Sequence, residues 1–247
     1  MNDLRLPLAM FLLLSLASCT VFDHHASEAR PIRVEVPALR ALSCVTHNGE
    51  ISIAAGTADT VEGVATVTAW AETDERAKEE LADLKVLQEQ SGGELRLSLQ
   101  VPDGRRGDVS FELRVPPGSE LILTSHNGSI STAGVSGVLR AESHNGEVRF
   151  EHAKGHVEVV AHNGAITGGL DAGAVDGSIT AHNGAVEVAV DPACSTRVDI
   201  STHNGSIELI GASDTNLHRG SASGTFGRGE GKLSIASHNG SVSTRAK

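Results

Sequence analysis

Residues 139–166 read LRAESHNGEVRFEHAKGHVEVVAHNGAI, and this stretch decides the fold. It contains the tripeptide His-Asn-Gly twice, at His144 and at His162, each time between runs in which apolar and polar residues alternate. Alternation with a period of two is typical of a β-strand, and Asn-Gly is a strong turn signal. The stretch therefore predicts a repeated unit of strand, corner and strand.

The same tripeptide occurs seven times in the 247-residue chain, with its histidines at His47, His126, His144, His162, His182, His203 and His238. A spacing near 20 residues is typical of a solenoid, because one such unit cannot bury its apolar face without its neighbours. We therefore expect an all-β chain that forms a parallel β-solenoid, with one Asn-Gly corner in each coil.

Residue parity predicts which side chains face outwards at each corner. Val157, Val159 and Ala161 form the inward set before one corner, so His162 points out. The same parity at the other corners predicts an outward column of histidines. The following asparagines are predicted to be structural turn residues whose amides stack from coil to coil, with glycine supplying a positive φ. These asparagines are Asn48, Asn127, Asn145, Asn163, Asn183, Asn204 and Asn239.

Residues 54–118 interrupt the repeat, while residues 119–247 carry most of its copies. Within the interruption, Thr73 is a candidate N-cap for a short helix over 74–82. A hairpin is predicted next, with strands over 84–90 and 94–101 joined at Ser91-Gly92-Gly93.

A second break lies near the end of the chain. Residues 211–231 are rich in Gly and Ser, which favours a loop or a frayed coil. The corner at His238 follows this segment, and we expect it to close the end of the solenoid.

The amino-terminal segment has the pattern of an export signal. Residues 1–18 have a short polar start and an apolar run too short to span a bilayer, and they end in Leu-Ala-Ser before Cys19. This ending resembles a bacterial lipobox, in which the cysteine is lipidated, for example with palmitate. An ordinary cleaved signal with an incidental cysteine is the alternative. We expect residues 19–37 to be a tether and residues 38–247 to be an envelope domain anchored to a membrane by lipid. Thr20 after the cysteine indicates the outer membrane if the cell is Gram-negative.

The composition argues against several classes of protein. The formal net charge is -11, which would repel a phosphate backbone and excludes nucleic-acid binding. The chain has five Phe, one Trp and no Tyr, so its core must be built from Val, Ile, Leu and Ala.

Three signatures carry a family resemblance. They are Leu-Arg-Val-Pro at 113–116 leading into the strand at 121–125, the recurrent [S/T/A]-x-Asn-Gly-x-[I/V] unit, and the alternating run at 229–235 before the last corner. From about residue 40 to 247 the chain resembles a bacterial "putative adhesin" domain family of unknown function. The resemblance implies a right-handed parallel β-solenoid, usually tethered to a membrane, and supplies no catalytic residues. This chain differs by placing His before every corner Asn.

The histidine column allows three interpretations. Imidazoles on adjacent coils could bind Zn²⁺, Cu²⁺ or Ni²⁺, and the candidate ligands are His126, His144, His162, His182 and His203. Closely spaced imidazoles could also respond to pH. Alternatively, histidine is simply an outward residue retained beside an indispensable Asn-Gly when the repeats duplicated.

The sequence contains no recognisable catalytic motif, and its outward acids are dispersed rather than clustered. We therefore expect a non-enzyme whose repeated surface contacts glycan, peptidoglycan or an envelope protein. The alternative function is divalent-metal binding or a pH response through the histidine column.

Overall fold

The computed structural model describes residues 24–57, 59–134 and 136–247, so the predicted signal and Cys19 lie outside the described residues. The all-β prediction is confirmed for this part of the chain, which holds nineteen strands and one helix, α1 (Asp74–Asp83). The strands are β1 (His24–Glu35), β2 (Ala41–Thr46), β3 (Ile51–Ala55), β4 (Thr60–Ala71), β5 (Lys85–Ser91), β6 (Glu94–Gln100), β7 (Gly107–Val115), β8 (Glu120–Ser125), β9 (Ile130–Ala133), β10 (Leu139–Ser143), β11 (Val148–Ala161), β12 (Ile166–Ala181), β13 (Val186–Val190), β14 (Cys194–Asn204), β15 (Ile207–Ile210), β16 (Ser213–His218), β17 (Ser221–Phe226), β18 (Gly231–Asn239) and β19 (Val242–Ala246).

The strands form one connected mixed sheet that turns at the His-Asn-Gly corners. We call each strand–corner–strand unit a coil and name it by its histidine. Strands that enter the corners pair in parallel with the entering strands of neighbouring coils, and strands that leave the corners do the same. Leu139 lies opposite Leu121 on one side and Val157 on the other, so equivalent residues of successive coils are in register.

The core consists of mostly aliphatic rows between two layers, one of entering strands and one of leaving strands. The expectation of a core built only from Val, Ile, Leu and Ala is incomplete, because Phe111 and Phe150 are its largest fully buried side chains. Val157, Val159 and Ala161 are fully buried, as the parity of the sequence predicts. Leaving strands contribute a second row, which includes Ile130, Val148, Ile166 and Val186. Apart from these phenylalanines, β-branched and Leu side chains fill the space between the strands, and such side chains are typical of parallel sheets.

The order of the coils in space differs from their order in the chain. β18 pairs with β12 on one side and with β14 on the other, and β19 lies between β13 and β15 in the same way. The His238 coil is therefore inserted between the His182 and His203 coils. The expectation that the last corner closes the solenoid is wrong.

Residues 211–231 supply the actual end of the stack. They were expected to be a loop, but β16 and β17 form a hairpin, and β17 pairs antiparallel with β14. This hairpin covers the edge of β14 that parallel stacking leaves open, so that edge is not available to pair with another chain.

The opposite end is built from the interruption at 54–118. β6 pairs in parallel with β2, and β7 with β3, so both layers continue one step beyond the His47 coil. β5 and β6 form the predicted hairpin. The predicted helix is confirmed as α1, with the Thr73 hydroxyl accepting a hydrogen bond of 3.2 Å from the Arg76 backbone N–H.

The expected tether is wrong from His24 onwards. Residues 24–35 form β1, which pairs antiparallel with β4 along its whole length. Arg30 fixes this strand to the helix, because its guanidinium donates to the backbone carbonyls of Leu84 at 2.6 Å and Leu81 at 3.0 Å. These carbonyls lie at the end of α1, where cationic donors stabilise the helix dipole.

Cys44 and Cys194 are free and buried. They belong to the His47 and His203 coils, at opposite ends of the stack, so they cannot form a disulfide with each other. Burial raises the pKa of the Cys44 thiol far above its ordinary range and that of Cys194 to about 11. Within the described ranges, no helix has the length and apolar character needed to cross a membrane.

Two buried hydroxyls, those of Thr132 and Thr244, have no hydrogen-bond partner among the described residues. Each lies in an inward row of leaving strands, with Thr132 between Ile53 and Phe150. We expect Thr132→Val to raise the free energy of unfolding by about 1 kcal/mol, because it removes an unsatisfied buried group with little change in shape.

The matched control is Thr196→Val, since the Thr196 hydroxyl is also buried but donates to the Val175 carbonyl at 2.8 Å. That variant should lower the free energy of unfolding by about 1 kcal/mol. Urea denaturation measures both variants. A stability loss in Thr132→Val equal to that of Thr196→Val would contradict the assignment.

Candidate functional site: the corner column

The seven corners lie in one straight row because backbone pairing continues through the turns. The Asn145 backbone N–H donates to the His126 carbonyl at 2.8 Å, and the Asn163 N–H donates to the His144 carbonyl at 2.8 Å. Each corner is thereby held at the same height relative to its neighbour, so the outward side chains of all coils are aligned.

The corner glycines are required by close packing and not by a positive φ, which corrects the sequence prediction. A Cβ atom built on Gly146 would overlap the carbonyl oxygen of Gly128, and one built on Gly164 would overlap that of Gly146. The same overlap recurs at Gly128, Gly184, Gly205 and Gly240, each against the glycine of an adjacent coil. Any side chain here would push the coils apart.

The seven corner asparagines form a continuous side-chain hydrogen-bonded row, which we call the asparagine ladder. In the middle of the ladder, Asn163 Nδ2 donates to Asn145 Oδ1 at 2.8 Å, and Asn183 Nδ2 donates to Asn163 Oδ1 at 2.9 Å. The spatial order of the ladder is Asn48, Asn127, Asn145, Asn163, Asn183, Asn239 and Asn204. Its first member donates to Asp108 Oδ1 at 2.7 Å, so a carboxylate terminates the ladder.

The histidines form an outward row beside the ladder, the corner column, in the order His47, His126, His144, His162, His182, His238 and His203. Its rings are exposed except that of His162, which is half-buried. Four neighbouring pairs stack with their centroids 4.7–4.9 Å apart and their planes within 7°. The His144 and His162 rings are 5.0 Å apart and tilted by 38°.

This stacking constrains metal binding. Nitrogen lone pairs of stacked rings lie in parallel planes, whereas Zn²⁺ needs nitrogens at about 2.0–2.1 Å that point to one centre. Two neighbouring imidazoles could share an ion only after their rings rotate, which exposed side chains can do. Over 24–57, 59–134 and 136–247, no group of three or more His, Cys, Asp or Glu side chains is placed to hold a metal ion.

A buried hydroxyl lies beneath five of the corners, immediately before the histidine. Ser143 Oγ donates to the Gly128 carbonyl at 3.1 Å, and Ser237 Oγ donates to the Gly184 carbonyl at 3.0 Å. Thr46, Ser125 and Thr202 make related bonds to corner glycines. These bonds satisfy glycine carbonyls that face the interior. The Ser or Thr of the repeated motif was the signal for this role.

Charged side chains border the corner column on the entering strands. Glu142 Oε1 lies 3.6 Å from His162 Nε2, and Arg140 bridges Glu120 and Glu158. The hydrogen bond to Glu120 is the largest influence on the Arg140 guanidinium and raises its pKa above the ordinary value. Of these groups only Glu142 contacts the corner column, and the Arg140 pairs keep the outer face of the entering strands polar and solvated.

A cleft of about 600 Å³ opens at the Asn48 end of the ladder. Its lining includes His47, Trp70, Val101, Arg105 and Asp108. Trp70 Nε1 donates to Asp108 Oδ2 at 2.9 Å, so the carboxylate that ends the ladder also orients the indole. Sequence analysis missed this cleft, because it forms where the first corner meets Trp70, Val101, Arg105 and Asp108, which belong to the segment that interrupts the repeat. The single tryptophan was the only available signal.

The ladder predicts that asparagine is the structural member of the tripeptide. Asn163→Ala removes two ladder hydrogen bonds and should lower the free energy of unfolding by about 2 kcal/mol. Asn204→Ala, at the end of the ladder, removes one bond and should cost about 1 kcal/mol. His162→Ala should cost clearly less than Asn163→Ala in the same urea titration. Equal effects of Asn163→Ala and His162→Ala would show that the ladder does not stabilise the corner.

A family model described as Toastrack DUF4097 matches residues 17–245. A search of curated proteins finds no significant match. The structure is similar to a "putative cell adhesion protein" from Clostridium sporogenes, with a TM-score of 0.49, 11% identity, and coverage of 90% of this chain and 100% of the other.

Two further solved structures show lower similarity. A "putative adhesin" from Bacteroides fragilis has a TM-score of 0.31 and 13% identity, covering 89% of this chain and 97% of the other. A "putative lipid binding protein" from Parabacteroides distasonis has a TM-score of 0.31 and 11% identity, covering 91% of this chain and 98% of the other.

Proposed function

The chain belongs to the Toastrack DUF4097 family, and from that premise we propose that it is a lipid-anchored, non-enzymatic protein of the bacterial envelope. Its coiled sheet acts as a structural or interaction surface, adhesin-like in use. In this proposal the coils wind as a right-handed parallel β-solenoid with Asn-Gly at each corner. The lipid is carried by Cys19, and the membrane is the outer one if the cell is Gram-negative.

The observation that carries the proposal is the row of seven aligned corners. Each corner offers an imidazole beside an amide, exposed at six corners and half-buried at His162, and the same pair recurs at each coil, about 4.8 Å further along the stack. Repetition of this kind suits weak contacts made many times along a polymer, where avidity exceeds the affinity of one contact. Glycan, peptidoglycan or an envelope protein would fit such a row.

The polar groups beside the corners support a binding role over a catalytic one. Glu158 is paired with Arg140, and Asp199 lies 3.8 Å from Arg197 and 3.9 Å from Lys232. Carboxylates held by exposed cations in this way act as solvated surface charges. A glycoside hydrolase instead places two carboxyl groups on either side of the bond that it cleaves.

Two experiments test the two parts of the proposal, a membrane fractionation for the lipid anchor and a retention assay for the interaction surface. The full chain should sediment with membranes, and Cys19→Ala should move it to the soluble fraction. On purified peptidoglycan sacculi, the combined variant His126→Ser, His144→Ser and His162→Ser should lose about tenfold in retention, since several weak contacts are removed together.

The matched control changes outward residues of the leaving strands, Arg149→Ser together with Glu187→Ser, and should keep its retention. Equal losses in both variants would show that the corner column is not the binding surface. If the wild-type chain binds neither the sacculi nor a glycan array, glycan and peptidoglycan are excluded as partners. If Cys19→Ala stays in the membrane fraction to the same extent as the wild type, the proposed lipid anchor on Cys19 is rejected.

A second candidate function is binding of divalent transition metals by neighbouring imidazoles of the corner column. The close spacing of the rings favours it, and the 38° tilt between His144 and His162 indicates that ring planes in the column are not locked in parallel.

Calorimetric titration with Zn²⁺, Cu²⁺ and Ni²⁺ at pH 7.5 and 5.5 tests this candidate. We expect binding at the higher pH, loss at the lower pH where protons compete for the imidazoles, and abolition by His144→Gln, His162→Gln and His182→Gln together. Metal uptake that is unchanged in this triple variant would reject the column as the metal site.

A further inference from the structure

The cleft at the Asn48 end has an exposed apolar rim. Trp70 is the single tryptophan of the chain and lies on the outward face of β4. It is 36% exposed, and Val101, which lines the same cleft, is 38% exposed. The indole and the aliphatic side chain line the same cleft and together give it an apolar rim that is open to contact from outside the chain.

The chemistry of this rim suits the interface between water and lipid. Tryptophan favours that layer, because its ring is apolar and its N–H needs one polar partner. Asp108 already accepts the Trp70 N–H, so the ring can enter a less polar layer without leaving a donor unsatisfied. Arg105 lines the same cleft. Its guanidinium pairs with Asp83 at 3.0 Å and with Glu80 at 3.2 Å, and its remaining N–H groups can face lipid phosphate.

Chain geometry places this rim next to the proposed lipid. β1 begins at His24, which lies opposite Ala71, and the His25 ring is 5.3 Å from the Trp70 ring. Only five residue steps separate Cys19 from His24. At about 3.6 Å for each residue, five extended steps span at most about 18 Å.

The other end of the stack lies further from the lipid. Six coil steps of about 4.8 Å separate the His47 and His203 coils, a distance of about 29 Å. Exposed apolar side chains occur at that end as well, with Ile210 at 50% and Leu217 at 67%. Exposure alone therefore does not distinguish the two ends, whereas the length of chain from Cys19 does.

We propose that the rim formed by Trp70, Val101, His25 and Arg105 docks on the phospholipid headgroup layer of the membrane that holds the lipid on Cys19. The inference rests on the lipid anchoring in the proposed function and adds an orientation to it. The cleft end of the stack contacts the membrane, and the end with Ile210 projects away from it, free to meet a partner.

The single tryptophan makes a direct test available. The full lipidated chain is reconstituted into phosphatidylcholine vesicles whose acyl chains carry bromine near the headgroups; this lipid avoids repulsion of the net charge of -11. We expect an emission maximum at shorter wavelength than in detergent, and about a twofold loss of Trp70 emission relative to unbrominated vesicles.

Two matched variants place the single tryptophan at one end of the stack or at the other. Both start from Trp70→Phe; one adds Val101→Trp and the other adds Ile210→Trp, each at an exposed apolar position. The Val101→Trp variant should be quenched like the wild type, and the Ile210→Trp variant should not be quenched. Circular dichroism checks that both variants are folded.

Each other outcome overturns the docking. Equal quenching of both variants would reject the orientation. An unquenched wild-type chain that still floats with the vesicles would reject the docking and leave the anchor intact. Emission that changes with the protein-to-lipid ratio, without quenching, would assign the rim to a second copy of the chain. If mass spectrometry finds no lipid on the chain and the chain does not float with the vesicles, both the anchor and the docking are rejected.

Discussion

Contact between the glycine backbones of successive corners is the constraint on which the structure depends. The corner of each coil lies so close to the next that a Cβ atom on Gly146 or Gly164 would overlap the neighbouring carbonyl oxygen. This approach allows the Asn and His backbones to pair across coils, which keeps every coil in the same register. The aliphatic core, the asparagine ladder and the corner column all follow from that register, because each repeats one residue position in a row.

A stack of identical coils has the difficulty that its ends can pair with further copies. Here each end is closed by antiparallel strands, with β17 on β14 at one end and β4 on β7 at the other. The asparagine ladder ends in a different way, because Asp108 accepts from Asn48 and can donate nothing onwards. The same carboxylate accepts a hydrogen bond from the indole of Trp70, so the residue that ends the ladder also orients the rim of the cleft.

Local patterns were predicted well because their causes are local. The alternation of apolar and polar residues predicted which face of β11 is buried, and Thr73 predicted where α1 begins. Both features depend only on residues close by in the chain. The predicted positive φ at the corner glycines was wrong for a different reason. Asn-Gly is usually a tight hairpin turn, but here the requirement for glycine comes from another coil, which no local pattern reveals.

By itself, the sequence determined the repeated unit, the inward and outward residues and the alignment of seven His-Asn pairs, because a period-two pattern and a repeated corner leave one way to bury the apolar face. Only the tertiary structure decided that the His238 coil enters between His182 and His203, that residues 24–35 form a strand and not a tether, and that Trp70 meets Asp108 at the end of the ladder. Each of these features depends on contacts between segments far apart in the chain. Several strands could pair with the same sheet edge, and the packing of the whole sheet determines which one does.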